Sequence, residues 1–181
     1  MAKITFVQPD GSQQTVEAEP GMTVMEAAKK ELVPGIERIF RRGGALHSAL
    51  IEGTRETLGE LKRRGFRLGL ATNDSIGGLE ASLQEHNVLD VFDFKAGCDS
   101  GYGAKPGPGM ALAFCEAVGI APKAAAMVGD AVHDLATGRA AGFALNVGVL
   151  SGTSGREDME GFADLILDSI NDMLALAEFQ V

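Results

Sequence analysis

Asp130 and Asp134 stand four residues apart after a short apolar run, Ala124-Ala125-Ala126-Met127-Val128-Gly129. Such a run reads as a buried strand. Asp130 then falls at its carboxyl end, where open α/β sheets place ligands. If the chain enters a helix at once, Asp134 follows one turn later and both carboxylates face one pocket. Hard cations such as Mg2+ take oxygen ligands of this kind. The rival reading is local, with Asp130 as a helix N-cap and Asp134 as a solvated acid in the first turn. Two further groups fall at comparable places. Thr72 follows Phe66–Ala71, which reads as a short buried strand, and Lys105 sits in the glycine-rich loop over 97–109. In a parallel sheet these strand ends share one rim. A hydroxyl and an ammonium suit phosphate oxygens, and the carboxylates suit Mg2+. A phosphate monoester with Mg2+ is the ligand that uses all four.

The elements that must hold these groups alternate. Thr54–Arg64 carries Leu58 and Leu61 among charges and reads as an amphipathic helix that Gly65 ends. A strand over 66–71 follows, then a helix over 75–85, a strand over 91–94 and a helix over 110–118. The strand before Asp130 leads into a helix over 130–141, a strand over 144–149, a short strand over 165–167 and a final helix over 169–178. Regular alternation of this kind predicts parallel βαβ crossovers and a three-layer α/β sandwich with a mainly parallel, Rossmann-like sheet.

The opening differs. Residues 3–8 are β-branched and aromatic, Pro9-Asp10-Gly11-Ser12 is a turn signal, and Gln14–Ala18 reads as a return strand. An N-terminal β-hairpin is therefore predicted. Thr23 with Glu26 makes a capping box for a helix that stops before Val33-Pro34-Gly35. Arg38, Arg41 and Arg42 form a small basic patch in a connector over 37–52, read as a solvated face or an anion contact.

The whole chain sets bounds. Its 181 residues suit one good-sized domain, or a domain with a small appendage, and its formal charge of -9 argues against nucleic acid or an anionic membrane as partner. No apolar run reaches the roughly 18 residues of a membrane span, and the start does not read as a signal peptide. Cys98 and Cys115 are the only cysteines. They form no C-x-x-C pair, which fits a reducing cytosol and a cytoplasmic protein.

Three stretches together resemble motifs of the haloacid-dehalogenase superfamily, in its phosphoglycolate-phosphatase-like branch. Leu70-Ala71-Thr72-Asn73-Asp74 looks like the second motif, Gly103-Ala104-Lys105-Pro106-Gly107-Pro108 the third, and Val128-Gly129-Asp130-Ala131-Val132-His133-Asp134 the fourth. The resemblance spans about 53–178. It implies that Thr72 and Asn73 contact the phosphoryl group, that Lys105 offsets charge there, and that Asp130 and Asp134 hold Mg2+. It also implies hydrolysis of a small phosphorylated metabolite such as 2-phosphoglycolate. His133 reads as a surface or supporting residue whose ring points away from both aspartates. Asp99 and Ser100 read as turn residues or as shapers of the phosphate site, and Gly152-Thr153-Ser154-Gly155 as a polar loop on the same rim.

One motif is missing. The family's first motif, Asp-x-Asp-Gly-Thr, supplies a nucleophile and a general acid/base, and no Asp-x-Asp-Gly occurs in this chain. The nearest match places Asp10 as the acid/base but Gln8 where the nucleophile belongs, and a neutral amide forms no aspartyl-phosphate. Asp10 is otherwise a hairpin-turn residue. Residues 1–36 instead resemble the start of a bacterial 2Fe-2S ferredoxin of the adrenodoxin type. The match is carried by Met1–Phe6, Asp10-Gly11, Thr15–Ala18, Gly21–Ala28 and Val33–Ile36. The cluster would need four thiolates, and the chain has two cysteines, both far downstream, so no iron–sulfur cluster is expected.

The organisation expected is a ferredoxin-like opening over 1–36, a connector or remnant cap over 37–52 and a core over 53–181, with the cap reduced or absent. A natural fusion, an engineered chimera and a rearranged gene all fit this pattern. Function divides in the same way, between a phosphatase impaired by loss of its nucleophile, an inactive phosphate- or partner-binding module, and an electron-transfer protein suggested only by the opening. Residues 3–8 are expected to run parallel between 66–71 and 125–129. Left open, those edges would favour a homodimer through strand pairing or swapping.

Overall fold

The computed structural model describes residues 2–7, 13–18 and 49–180. The chain divides into two compact units, Met1–His47 and Ser48–Val181. In the first, β1 (Ala2–Val7) and β2 (Gln13–Ala18) form a two-stranded antiparallel sheet, with Ala2 opposite Ala18 and Val7 opposite Gln13. The expected parallel placement of residues 3–8 beside 66–71 and 125–129 is not found, because β2 is the strand that β1 pairs with. Chain entropy accounts for this. Closing the short loop over 8–12, with its Pro-Asp-Gly turn chemistry, costs far less than bringing residue 3 beside residue 125. Gln8, Asp10, the Thr23–Glu26 capping box, the Val33-Pro34-Gly35 stop, the arginines of 38–42 and His47 lie outside the described residues.

The second unit alternates strand and helix. Helix α1 (Thr54–Arg63) buries Leu58 and Leu61 along one stripe. Strand β3 (Gly69–Ala71) leads into α2 (Ile76–Glu85), whose first turn is capped by Ser75 Oγ accepting the Gly78 amide at 3.2 Å. Strand β4 (Phe94–Ala96) is followed by α3 (Gly109–Val118), β5 (Ala126–Gly129), α4 (Val132–Ala141), β6 (Leu145–Val149), the single turn α5 (Arg156–Met159) and β7 (Leu165–Leu167). All ladders here are parallel. β3 pairs with β4, and β6 lies between β5 and β7.

Side chains alternate across β5 as a pleated strand requires. Met127 packs with Ala111, Cys115, Phe143 and Phe114 under α3 and α4. Ala126 and Val128 face the other way, onto Leu61, Met173 and Phe179 beneath α1 and the C-terminal segment. Helical layers therefore cover both faces of the sheet.

The facing edges of β3 and β5 meet no strand among the described residues. A cavity of about 1000 Å3 lies there, lined among others by Leu68, Leu70, Ala126, Val128, Lys105 and Asp130.

Three element predictions need correction. The strand over 66–71 shrinks to β3, because Phe66 and Leu68 turn to the C-terminal cluster. The strand expected at 91–94 is a 3-10 turn over Leu89–Val91 with β4 beginning at Phe94. There Asp93 is held by Lys62 at 2.7 Å, by Arg67 at 3.0 Å and by the Leu68 amide at 2.8 Å, so it ends the turn rather than joining a ladder. The final helix over 169–178 is two 3-10 turns, Ile170–Ala175 and Ala177–Phe179. Extended Leu176 breaks it, which lets Phe179 return onto Phe66 with ring centroids 5.5 Å apart. Arg64 donates to the freed carbonyls of Leu174 at 3.3 Å and Phe179 at 2.9 Å.

Candidate functional site

Lys105 joins the ends of two strands. Its Nζ donates to the carbonyl of Ala71, the last residue of β3, at 3.0 Å, and to Asp134 Oδ1 at 2.5 Å. Asp134 is the third residue of α4, the helix that β5 feeds. The carboxyl ends of β3 and β5 therefore do share one rim, as parallel topology requires.

Each member is fixed locally. Thr72 extends β3 by donating its amide to Ala96 at 3.0 Å. Its Oγ1 accepts the Asp74 amide at 3.1 Å, which leaves the hydroxyl proton to donate elsewhere. Asn73 grips the backbone of Lys105 from both sides, since its Oδ1 accepts the Lys105 amide at 2.8 Å and its Nδ2 donates to the Lys105 carbonyl at 3.2 Å. The Asn73 amide thus orients the lysine loop, a different contact from the phosphoryl one implied by resemblance.

Asp134 is buried, and both of its oxygens are engaged. Oδ1 takes Lys105 and Oδ2 accepts the Ala131 amide at 3.2 Å, which closes the first turn of α4. Gly129 makes this approach possible, because a Cβ there would overlap the Asp134 side chain. Asp130 precedes the helix and is half-buried. Its Oδ2 accepts the Thr153 amide at 2.9 Å and the Thr153 hydroxyl at 3.2 Å, and its carbonyl accepts the Ser154 amide at 3.0 Å.

His133 does not point away from Asp134 as expected. Its exposed ring brings Nε2 to 3.6 Å from Asp134 Oδ1, beyond hydrogen-bond reach. Asp99 and Ser100 do turn chemistry: Asp99 accepts the Ile76 amide at 2.8 Å and Ser100 the Gly97 amide at 2.9 Å. Sequence reasoning put Asn73 and Thr153 at this rim but missed that they bond Lys105 and Asp130. Only their position after strands at the same rim hinted at it.

The donor set is oxygen-rich. Two carboxylates against one ammonium leave the rim net negative, so a phosphate dianion would be repelled unless a cation bridged the charges. Mg2+ asks for one or two carboxylates and fills its octahedron with waters and phosphate oxygens. Asp130, with Oδ2 on Thr153, keeps Oδ1 for that purpose, and the residues present fit the ion.

The profile of the haloacid dehalogenase-like hydrolases matches residues 10–142. The chain belongs to that family. A phosphoglycolate phosphatase of Escherichia coli is 34% identical over 120 residues, 66% of this chain and 47% of that enzyme. The pyrophosphatase PpaX of Bacillus cereus is 32% identical over 123 residues, 67% of this chain and 56% of its own. The chain thus spans about half the length of these relatives. Among solved structures, one described as a predicted phosphoglycolate phosphatase from Haemophilus somnus superposes with a TM-score of 0.73 at 25% identity, covering 85% of this chain and 68% of that one. A family hydrolase from Deinococcus radiodurans, solved with phosphate and sodium bound, shares the fold at a TM-score of 0.69 and 22% identity, covering 88% and 77%.

Proposed function

We propose that the chain is a Mg2+-dependent phosphate-monoester hydrolase module of the phosphoglycolate-phosphatase type, slowed by loss of its nucleophilic aspartate. The observation that carries this reading is that Lys105 bridges the Ala71 carbonyl, at the end of β3, and Asp134, in the first turn after β5; Thr72 and Asp130 are the residues next to those two strand ends. The Thr72 hydroxyl donates to a phosphoryl oxygen, and Lys105 neutralises a second. Asp134 holds the Lys105 ammonium in place, and Asp130 offers Oδ1 to Mg2+. When bound, Mg2+ draws charge from the phosphoryl oxygens. The partner is a small phosphorylated metabolite, and the compartment is the cytoplasm. The edges of β3 and β5 that meet no strand among the described residues also make a homodimer part of this proposal.

The first motif favours a second reading, an inactive module that binds phosphate without turning it over. Gln8 stands where the covalent nucleophile belongs, and losing such a group costs several orders of magnitude in rate. Phosphate release from p-nitrophenyl phosphate and 2-phosphoglycolate, with Mg2+ and with chelator, separates the two. Slow Mg2+-dependent release that vanishes in Asp130→Ala supports the hydrolase. Phosphate binding with no release in either condition supports the inactive module.

A further inference from the structure

We infer that the Gly152–Thr153 turn is a positioning device that turns Asp130 into a one-oxygen cation ligand. The inference rests on the proposed reading of the rim as a cation and phosphate site. After β6 the chain doubles back over the end of β5, and the Ser154 amide donates to the Asp130 carbonyl at 3.0 Å. Thr153 then aims two donors, its amide at 2.9 Å and its hydroxyl at 3.2 Å, at the same carboxylate oxygen, Oδ2. Two donors on one oxygen fix the carboxylate plane and direct its remaining lone pairs, on Oδ1, away from the turn. Gly152 is what lets the turn come this close. Its backbone is outside the left-handed region, so alanine would be tolerated there but for one clash: a Cβ would overlap the Asp130 carboxylate. Packing and hydrogen bonding thus act together on Asp130. The groups that orient a metal-binding carboxylate usually matter to affinity by about ten- to a hundred-fold.

The test is titration of the full chain with Mn2+ by calorimetry, with thermal melting in chelator as a check on folding. Thr153→Val keeps shape and amide but removes the hydroxyl, and binds about ten-fold more weakly. Thr153→Ser restores the hydroxyl and binds as the parent does. Gly152→Ala keeps both donors but displaces the carboxylate, and loses the binding isotherm. If Gly152→Ala fails to fold, the valine–serine pair carries the test alone. Parent-like affinity in a folded Thr153→Val, or equal weakening in Thr153→Ser, overturns the inference while leaving Asp130 a cation ligand. A folded parent that binds no Mn2+ instead overturns the reading of the rim itself, and the inference with it.

Discussion

Lys105 and Asp134 form an ion pair almost closed to water, with side chains 12% and 8% exposed. Such a pair contributes little by existing but costs much to break, because the survivor stays buried and unpaired. Lys105→Met should therefore destabilise the fold by about 3 kcal/mol, read from the urea midpoint. Replacing an exposed ion-pair partner such as Arg67 should cost less than about 1 kcal/mol. Gly129 is the other sensitive residue. Gly129→Ala drives a methyl into Asp134, so a loss of about 1–3 kcal/mol is expected, together with loss of any Mg2+-dependent phosphate binding. At this scale the four-residue spacing put Asp130 at the strand end and Asp134 in the first turn of α4, as found, but not the Lys105 and Ala131 contacts that take up both Asp134 oxygens. The polar loop over 152–155 was placed on the rim, yet its bonds to Asp130 span separate elements and leave no local signal.

Among the elements, Asp93 ties α1 to the entrance of β3. Burial pushes its carboxyl up, but the Lys62 ammonium, the Leu68 amide and the Arg67 guanidinium outweigh that and hold it at about 2, below its ordinary 3.8. A carboxyl lowered on folding stabilises fully above its unfolded value and loses that contribution as pH falls through its folded one. The parent should thus lose stability between about pH 4 and pH 2 more steeply than Asp93→Asn, and the two urea midpoints should converge near pH 2. Parallel slopes through that window would remove the anchor. Element types were legible because period and punctuation agreed, as in α4, which Gly142 closes in the left-handed region at φ 74°. They failed where tertiary contacts outbid local pattern. The segment over 169–178 has the composition of a helix, yet Phe179 is better buried against Phe66, and Arg64 satisfies the carbonyls that the break exposes.

For the molecule as a whole, the telling feature is that one edge each of β3 and β5 meets no strand among the described residues and borders a largely apolar cavity. The family match and the rim could be read from sequence, because motifs are local. The hairpin of β1 with β2 could be read too, from the Pro-Asp-Gly turn between two β-branched runs; a parallel place for residues 3–8 between two distant strands could not, because no local signal sets it. The central claim is that the rim holds phosphate with a cation's help, whatever its rate of turnover. It is tested most directly by titrating inorganic phosphate into the chain by calorimetry, with Mg2+ and in chelator, beside Thr72→Val. The account predicts saturable binding with Mg2+, much weaker binding without it, and loss of affinity in Thr72→Val. A folded parent that binds no phosphate in the presence of Mg2+ would contradict it.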